Sequence, residues 1–327
     1  MLRIAMLSKW HVHAAGYARD AIASGKAVIT AIWDEDALRG KDWADELNVD
    51  FEPDLDVLLA RDDVDAVICC TPTTMHDEVL VKAAEAGKHI FTEKALSTTT
   101  EGCKKISDAI IRNDVTFTIS YPQLYNKPTK FIKQYIESDK LGKVTTVRIR
   151  NAHSGVSNGW LPEYWFEEKD AGGGAMMDLG CHPMYQLVYL CGKPKRISAL
   201  FNSPLGSKVD ENAVSIIEFE NGIIGISETG FDSYSSPHRL EVYGTDGTII
   251  EEDWKLKIKT KDTAEISDSF IEPKSDEADA SPLNKFIDAC INKTGTPDGL
   301  DLEAATALTL LLENAYISDK TNTTVNL

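Results

Sequence analysis

The chain has 327 residues, of which 43% are hydrophobic, and it carries a formal net charge of −18. One hydrophobic core rarely organises so long a chain, so we expect two domains, and the apolar content argues against disorder. The negative charge would repel a phosphate backbone, which makes nucleic-acid binding a poor hypothesis. Apolar runs in the sequence stay below membrane-spanning length, so we expect no membrane partner.

The cysteines and the first residues indicate a compartment. The six cysteines include no CxxC pair, so we expect reduced thiols, and a thiolate metal site has no support. We therefore expect no metal. The first residues run straight into an apolar strand pattern without the features of a secretory leader. These observations predict a cytoplasmic protein.

Strand and helix patterns alternate through the first part of the chain. Apolar runs predict strands at 4–7, 28–33, 64–70, 89–91 and 115–120, with helical patterns between them at 14–24, 36–47, 75–86 and 100–112. Repeated βα units predict a parallel sheet with helices on both faces. We therefore expect an α/β fold whose first domain, residues 1–122, is a doubly wound Rossmann-type sheet.

The pattern changes after Pro128. Residues 144–150 alternate polar and apolar side chains, and further strand signals lie at 213–219, 223–228, 239–243 and 248–251. Asn221-Gly222 and Asp246-Gly247 separate pairs of these runs, which is typical of hairpins. We expect residues 123–327 to form an α+β domain with a mostly antiparallel sheet. Its C-terminal helices, near 283–291 and 302–317, are candidates to pack back on the first domain.

A candidate phosphate-binding loop follows the first strand. Dinucleotide folds place G-x-G-x-x-G here, so that backbone amides approach the pyrophosphate, but this chain has no glycine between Ser8 and His13. The start of the next helix can still offer amides and a positive dipole. The candidate residues are Ser8, Lys9, Trp10, His11 and Val12. A Rossmann-like sheet that never binds a nucleotide is an equally good interpretation of this loop alone.

Asp34 favours a dinucleotide. It ends the second strand pattern, about 20 residues beyond the first turn, where an acid holds the adenosine ribose hydroxyls. A carboxylate there repels a 2′-phosphate, so NAD is favoured over NADP. The alternative role is a cap for the helix that follows.

Thr71-Pro72-Thr73 follows the third apolar run, where Pro72 forces a turn. The hydroxyls of this turn are candidates to lie near the cofactor ribose. A capping turn for the next helix explains them equally well.

Two positions are candidates for proton chemistry. Lys94 follows Glu93 at a strand end, where burial and neighbouring charges can adjust its pKa, although a solvated ion pair is the common alternative. Asp178 and His182, four residues apart after a run of three glycines, share one face if they lie on a helix. The carboxylate can then orient an imidazole that accepts a hydroxyl proton, whereas an isolated pair of this kind is more often structural.

An ordered set of segments resembles the Gfo/Idh/MocA oxidoreductases over nearly the whole chain. Glu93-Lys94-Ala95 is similar to that family's E-K-P, with alanine in place of proline. The other matching segments are Cys70–Thr73 with His76, Ala86–His89, Leu141–Val144, the glycine run with Asp178 and His182, and Gly244–Gly247. Each segment alone is weak, but together and in this order they are specific.

The resemblance implies hydride transfer between the C4 atom of nicotinamide and a carbinol carbon, usually of a sugar or polyol. It implies that Lys94 and His182 are the acid/base residues and that Asp178 binds the substrate. His76 and Glu93 join the expected cofactor set. A homo-oligomer, built through the antiparallel sheet, is also implied.

Two departures from the family pattern concern function. The glycine fingerprint is replaced by Ser8–His13, and Tyr185 stands where many relatives have an acid after the histidine. Trp160 and Trp165 are candidates to face a sugar ring, with core packing at least as good an explanation. Arg148 and Arg150 share one strand face, so a solvated or subunit-facing row is favoured over substrate binding.

Three functions follow from these features. A dehydrogenase or reductase acting on a sugar-like alcohol is favoured. A redox-neutral glycoside hydrolase or lyase that uses bound NAD for transient oxidation is the second. A non-catalytic nucleotide or sugar sensor is the third, and the retained Lys94, Asp178 and His182 argue against it.

Overall fold

The computed structural model describes residues 1–264, 270–272 and 280–327. These residues divide into two compact units. The first comprises Met1–Tyr121 and Ala280–Thr309, and the second comprises Pro122–Asp279 and Leu310–Leu327. The sequence-based division at residue 122 is contiguous, so it differs from these units in the placement of Ala280–Thr309.

The first unit contains a parallel sheet. Its strands are β1 Leu2–Leu7, β2 Ala27–Trp33, β3 Asp50–Phe51, β4 Ala66–Cys69, β5 His89–Thr92 and β6 Phe117–Ile119. Its helices are α1 Ala14–Ala23, α2 Ala37–Leu47, α3 Leu55–Leu59, α4 His76–Glu85, α5 Thr100–Asn113 and α10 Pro282–Asn292. In the described residues the strand order is β3-β2-β1-β4-β5-β6. This is the doubly wound dinucleotide-binding order, so the predicted Rossmann fold is confirmed.

The core of this unit explains why a late helix belongs to it. Leu283, Phe286 and Ile287 of α10 are buried in the same cluster as Ile4 of β1 and Phe91 of β5. These apolar side chains recur at the spacing of one helix face, which α10 removes from water by packing on the sheet.

The second unit is built around an antiparallel sheet. Its strands are β7 Val144–Ala152, β8 Pro194–Asn202, β9 Asn212–Phe219, β10 Ile224–Gly230, β11 Arg239–Gly244, β12 Gly247–Glu252, β13 Lys255–Thr260 and β14 Val325–Asn326. Its helices are α6 Lys127–Glu137, α7 Glu168–Ala171, α8 Cys181–Cys191 and α9 Lys261–Ala264. Helix α11, Leu302–Thr321, contributes residues to both units.

The sheet order of the second unit is β13-β12-β11-β7-β10-β9-β8-β14 in the described residues. The pair β7 and β10 is parallel, and the other neighbours are antiparallel, as predicted in the main. The hairpins at Asn221-Gly222 and Asp246-Gly247 are confirmed by the pairing of β9 with β10 and of β11 with β12. Among the described helices, none is at once long enough and apolar enough to traverse a bilayer.

Candidate active site

The loop that replaces the glycine fingerprint begins at Ser8. Counted from the end of β1, Ser8, Trp10 and His13 stand at the spacing of its three glycines. Ser8 has a φ of 73°, which is the left-handed conformation that glycine adopts most readily. Its Oγ accepts a hydrogen bond of 3.0 Å from the Trp10 N–H, and the His11 N–H donates to the Cys70 carbonyl at 3.1 Å. Side-chain and backbone bonds therefore stabilise a turn that glycine usually makes.

Glu93 joins this loop to the end of β5. Its Oε1 lies 2.8 Å from Nδ1 of His13 and 3.6 Å from Nδ1 of His11, and it accepts a hydrogen bond from the Tyr17 hydroxyl. Burial acts to raise the pKa of Glu93, but the two imidazoles and the hydrogen bond from His13 hold that pKa well below its usual range. Glu93 is therefore ionised, and it organises the loop.

Asp34 is enclosed by hydrogen-bond donors of the chain itself. Its carboxylate is fully buried and accepts from the backbone N–H groups of Lys9 and Asp36, each at 2.8 Å. The Arg39 guanidinium adds two bonds, of 2.6 and 3.0 Å. The cap of α2 is Asp36, whose side chain accepts from two amides of the first turn, so the alternative role of Asp34 as that cap is wrong.

The turn after β4 is buried and leads to His76. Thr71 and Thr73 are buried on either side of Pro72. His76 is also buried, and its Nδ1–H donates to the carbonyl of Ala95 at 2.9 Å. Burial lowers the pKa of His76, so it is a neutral donor. Its observed contact positions the segment after Lys94, and the predicted cofactor contacts of this turn stay a prediction.

Lys94 lies directly after Glu93 at the carboxyl end of β5. Lys94 is only 4% exposed, and its backbone N–H donates to Oε2 of Glu93 at 3.1 Å. The peptide bond between Lys94 and Ala95 is cis. The predicted acid/base residue is therefore buried at the edge where α/β sheets bind ligands.

In the second unit, Asp210 holds the glycine run. Its Oδ1 accepts from the Gly174 N–H at 2.9 Å and from the Tyr316 hydroxyl at 2.8 Å, and its Oδ2 accepts from the Met176 N–H at 2.7 Å. A Cβ atom on Gly174 would lie 2.1 Å from the Asp210 carbonyl oxygen, so this position requires glycine. Burial raises the pKa of Asp210 despite these donors.

The chain then passes through a π-helical turn, Met176–Gly180, into α8. Asp178 lies in this turn and is half-buried, whereas His182 is buried in the first turn of α8. Nδ1 of His182 lies 2.8 Å from the Tyr185 hydroxyl oxygen, and this oxygen accepts a hydrogen bond from the Gln123 N–H at 3.2 Å. Tyr185, which replaces an acid of the family pattern, therefore fixes the orientation of the imidazole.

The aromatic candidates differ in exposure. Trp160 is 54% exposed and packs against His153 with ring centroids 4.6 Å apart, whereas Trp165 is buried. Burial lowers the pKa of His153, against the opposing effect of Asp178. The structure therefore leaves Trp160 accessible to a ligand and places Trp165 in the core of its unit.

The strand arginines are engaged by groups of the chain itself. Arg148 forms hydrogen bonds of 2.8 and 2.9 Å with Glu228 and an ion pair of 3.1 Å with Glu241. Arg150 donates to Ser233 at 2.8 Å and to Ser236 at 3.1 Å. Arg148 and Arg150, which the sequence predicts on one strand face, therefore both bind side chains of this chain.

Sequence reasoning missed several residues that build these sites. His13 and Tyr17 were not assigned roles. The short spacing of His11 and His13 could have indicated that both imidazoles face one partner. Asp210 carries no local signal, because its partners lie 34, 36 and 106 positions away in the chain.

Comparisons with known proteins agree with this architecture. Residues 10–121 match a family model described as an oxidoreductase family with an NAD-binding Rossmann fold, and residues 129–250 match the GFO/IDH/MocA C-terminal domain. The solved structure of a levoglucosan dehydrogenase in complex with NADH and levoglucosan has a TM-score of 0.88 over 99% of both chains. The sequence identity is 19%, so this similarity concerns the fold.

Curated relatives are similar over part of their length. The uncharacterized oxidoreductase YrbE of Bacillus subtilis is 28% identical over 67% of this chain and 65% of its own. The levoglucosan dehydrogenase of Pseudarthrobacter phenanthrenivorans is 26% identical over 58% of this chain and 55% of its own. The myo-inositol 2-dehydrogenase of Thermotoga maritima is 25% identical over 68% and 67%. The chain thus spans less than two thirds of the first two relatives that it matches.

The two family models together account for most of the chain and correspond to its two sheets. The protein belongs to the Gfo/Idh/MocA family of oxidoreductases.

Proposed function

We propose that the protein is an NAD(H)-dependent dehydrogenase or reductase that acts on a carbinol carbon of a sugar, a polyol or a related small molecule. The observation that carries this proposal is a buried Lys94 at the carboxyl end of β5 in a sheet of dinucleotide-binding order. The names of relatives support the substrate class, because one is a levoglucosan dehydrogenase and another a myo-inositol 2-dehydrogenase.

The residues after the strands of the first unit fit a dinucleotide. Ser8 has the backbone conformation that the first glycine normally supplies, and the loop leads directly into α1. The residues that would hold the cofactor are Ser8, Lys9, Trp10, His11, Val12, Asp34, Thr71, Pro72, Thr73, His76, Glu93 and Lys94. When bound, NAD supplies the hydride acceptor, and NADH the donor.

We propose that NAD is preferred over NADP. Asp34, Glu35 and Asp36 follow β2, and Arg39 is the cation that pairs with the first two. Three carboxyl groups in a row, with one guanidinium to pair two of them, favour a ribose with free hydroxyls over a 2′-phosphate.

We propose that His182 and Lys94 handle the substrate proton. In this proposal Nδ1–H of His182 donates to the Tyr185 hydroxyl, so that Nε2 carries the lone pair that accepts the proton of the substrate hydroxyl. The Lys94 ammonium stabilises negative charge that develops on the substrate oxygen. Asp178 accepts a hydrogen bond from a neighbouring substrate hydroxyl, and Trp160 offers an exposed ring face to the C–H bonds of a sugar. Trp165, the other predicted substrate contact, is buried, so we propose that it packs beneath the substrate region.

A substrate screen tests the proposal. Purified protein is incubated with NAD and a panel of aldoses, anhydrosugars and polyols, and the absorbance of reduced nicotinamide is followed. The proposal expects substrate-dependent reduction with at least one member of the panel, and more slowly with NADP. If the protein releases product from a glycoside without net nicotinamide reduction, the redox-neutral alternative is correct instead.

We also propose that the protein is a homo-oligomer assembled through the sheet of the second unit. Leu200, Val214 and Ile216 are 71%, 43% and 51% exposed, and the strand register places them on one face of β8 and β9. An exposed row of aliphatic side chains on a sheet is typical of a surface that another chain covers.

A further inference from the structure

Three potential metal ligands meet in the first unit, at the loop between β1 and α1. His11 and His13 belong to this loop, and Glu93 follows β5. Each offers a donor atom, and these atoms all lie within 4.8 Å of one another. We propose that His11, His13 and Glu93 bind a divalent transition-metal ion, for which Zn²⁺ is the best chemical match.

The distances between the donor atoms suit an ion among them. Oε1 of Glu93 lies 2.8 Å from Nδ1 of His13 and 3.6 Å from Nδ1 of His11. Zinc bonds of about 2.0–2.1 Å in a tetrahedral site place neighbouring ligand atoms about 3.3 Å apart. The two observed distances fall on either side of that separation, so small side-chain rotations are enough to admit an ion.

The position of His11 also suits a cation. Its Nδ1 lies 3.3 Å from the backbone nitrogen of His13 and 3.6 Å from Oε1 of Glu93. A neutral imidazole and an ionised carboxylate are the forms that bind metals, so a metal ion between these atoms displaces the protons that the imidazoles otherwise share with Glu93.

The cluster also has outer support and an access route. Glu93 and His11 are 1% and 5% exposed, whereas the side chain of His13 is 44% exposed and opens the site to solvent. The Tyr17 hydroxyl donates to Oε1 of Glu93, and the Lys94 N–H donates to Oε2 at 3.1 Å. Ligating carboxylates in metal sites are hydrogen-bonded in this way.

Two imidazoles and one carboxylate leave a fourth position for a water or an oxygen of a bound molecule, as in zinc sites that stay open. The open position lies beside the loop that lacks the fingerprint glycines. An ion here would supply positive charge for a pyrophosphate at a loop whose residues 8–13 include no glycine. This last consequence rests on the proposed NAD binding, whereas the ion site does not.

Metal binding by the full-length protein, purified without a histidine tag, tests the site. The protein is stripped with dipicolinate, and Co²⁺ or Zn²⁺ affinity is measured by competition with a chromophoric chelator. We expect one equivalent per chain and visible Co²⁺ bands without thiolate charge transfer. Because loss of an outer-shell partner alone weakens metal binding by about 10–100-fold, His13→Ala is expected to lose more than about 100-fold and Tyr17→Phe about 10–100-fold.

His89→Gln is the matched control. His89 begins β5 on the same unit, and its Nδ1 accepts from the Thr116 N–H at 2.9 Å, a bond that glutamine can replace. This variant is expected to keep wild-type metal affinity. The proposal is overturned if His13→Ala binds the metal with the wild-type affinity, or if the wild type shows no saturable binding. The three side chains then form a hydrogen-bonded cluster without a metal.

X-ray absorption of the zinc-loaded wild type gives a result that does not depend on any variant. Two imidazole ligands, oxygen and no sulfur support the site. Sulfur ligation, or fewer than two imidazoles, overturns it. Both measurements remain informative if the protein proves to have no dehydrogenase activity.

Discussion

At the scale of single residues, side-chain hydrogen bonds in the loop after β1 stabilise a turn that glycine residues usually form through their backbone conformation alone. Ser8 adopts a positive φ and accepts from the Trp10 N–H, while His13 turns to Glu93. The same principle applies to Asp34, whose four hydrogen bonds hold the loop and the start of α2. We therefore expect the proposed selectivity for NAD to depend on residues that also maintain the local fold.

Asp34→Ala tests this link. Hydrogen bonds to a charged group are worth about 1.5–3 kcal/mol, so the variant is expected to weaken NADH binding by about 10–100-fold. NADPH binding should fall less, because Arg39 loses one of its two carboxylate partners and keeps more positive charge for a 2′-phosphate. Fluorescence titration with both cofactors measures the ratio. Asp36→Ala is the control, since it removes the helix cap without removing this pair. An unchanged ratio of the two affinities contradicts the assignment.

Tyr185→Phe tests the orientation of His182. The variant removes the hydroxyl that lies 2.8 Å from Nδ1 of the imidazole. A hydrogen bond of about 0.5–1.5 kcal/mol corresponds to a fall in kcat of about 2–10-fold, with KM little changed. Steady-state kinetics measure both constants. Tyr189→Phe, on the same helix, is expected to keep the wild-type kcat, and a Tyr185→Phe variant that does the same rules out the positioning role.

At the scale of elements, Asp210 determines how the π-helical turn and α8 begin. Asp210→Ala leaves the Met176 N–H and the Tyr316 hydroxyl without this acceptor, whereas the Gly174 N–H keeps a second acceptor, the Tyr316 hydroxyl oxygen at 3.0 Å. Each buried unsatisfied donor costs about 1–3 kcal/mol, so we expect the free energy of unfolding to fall by about 2 kcal/mol or more. Urea unfolding measures this change. Asp319→Ala removes one backbone bond, from Phe201, and is expected to cost about 1 kcal/mol. Equal losses in both variants contradict the role of Asp210.

The elements that the sequence predicts are those with strong local signals. The parallel strands are short apolar runs, and the two hairpins have Asn-Gly or Asp-Gly turns. Several missed elements are short or weakly patterned, although β13 was missed too and its lysines alternate with buried side chains. Strand β3 has two residues and α3 has five, and β8 mixes exposed and half-buried positions along both faces.

The candidate sites follow the same rule. Lys94 and His182 could be proposed from the sequence because they belong to local motifs. Asp210 was missed because its contacts join distant parts of the chain, and the pairing of His13 with Glu93 spans 80 positions. Long-range contacts of this kind depend on the tertiary fold and leave no periodic pattern in the sequence.

At the scale of the whole molecule, the chain leaves the first unit after Tyr121 and contributes to that unit again from Ala280 to Thr309. Ala280–Thr309 belongs to the first unit, because the apolar face of α10 is buried in the core of that unit. A contiguous boundary at residue 122 does not describe this return, which the sequence suggested only as an option for the last helices.

The proposed oligomer is tested by Ile216→Lys. A charge in the exposed aliphatic row of β8 and β9 opposes its burial by another chain, so the variant is expected to lower the molecular mass measured by light scattering. Ile291→Lys is the matched control, because Ile291 is 45% exposed on α10. A wild-type mass for Ile216→Lys, with both variants folded, excludes this face as the interface.

The central claim is that Lys94 acts in proton chemistry beside a bound nicotinamide. Its most direct test is Lys94→Ala, measured for turnover with a substrate from the screen and for NADH binding by fluorescence. Acid/base groups contribute about 10²–10⁴-fold to rates, so we predict a loss of that size in kcat with a much smaller loss of NADH affinity. A variant that turns over at the wild-type rate contradicts the account.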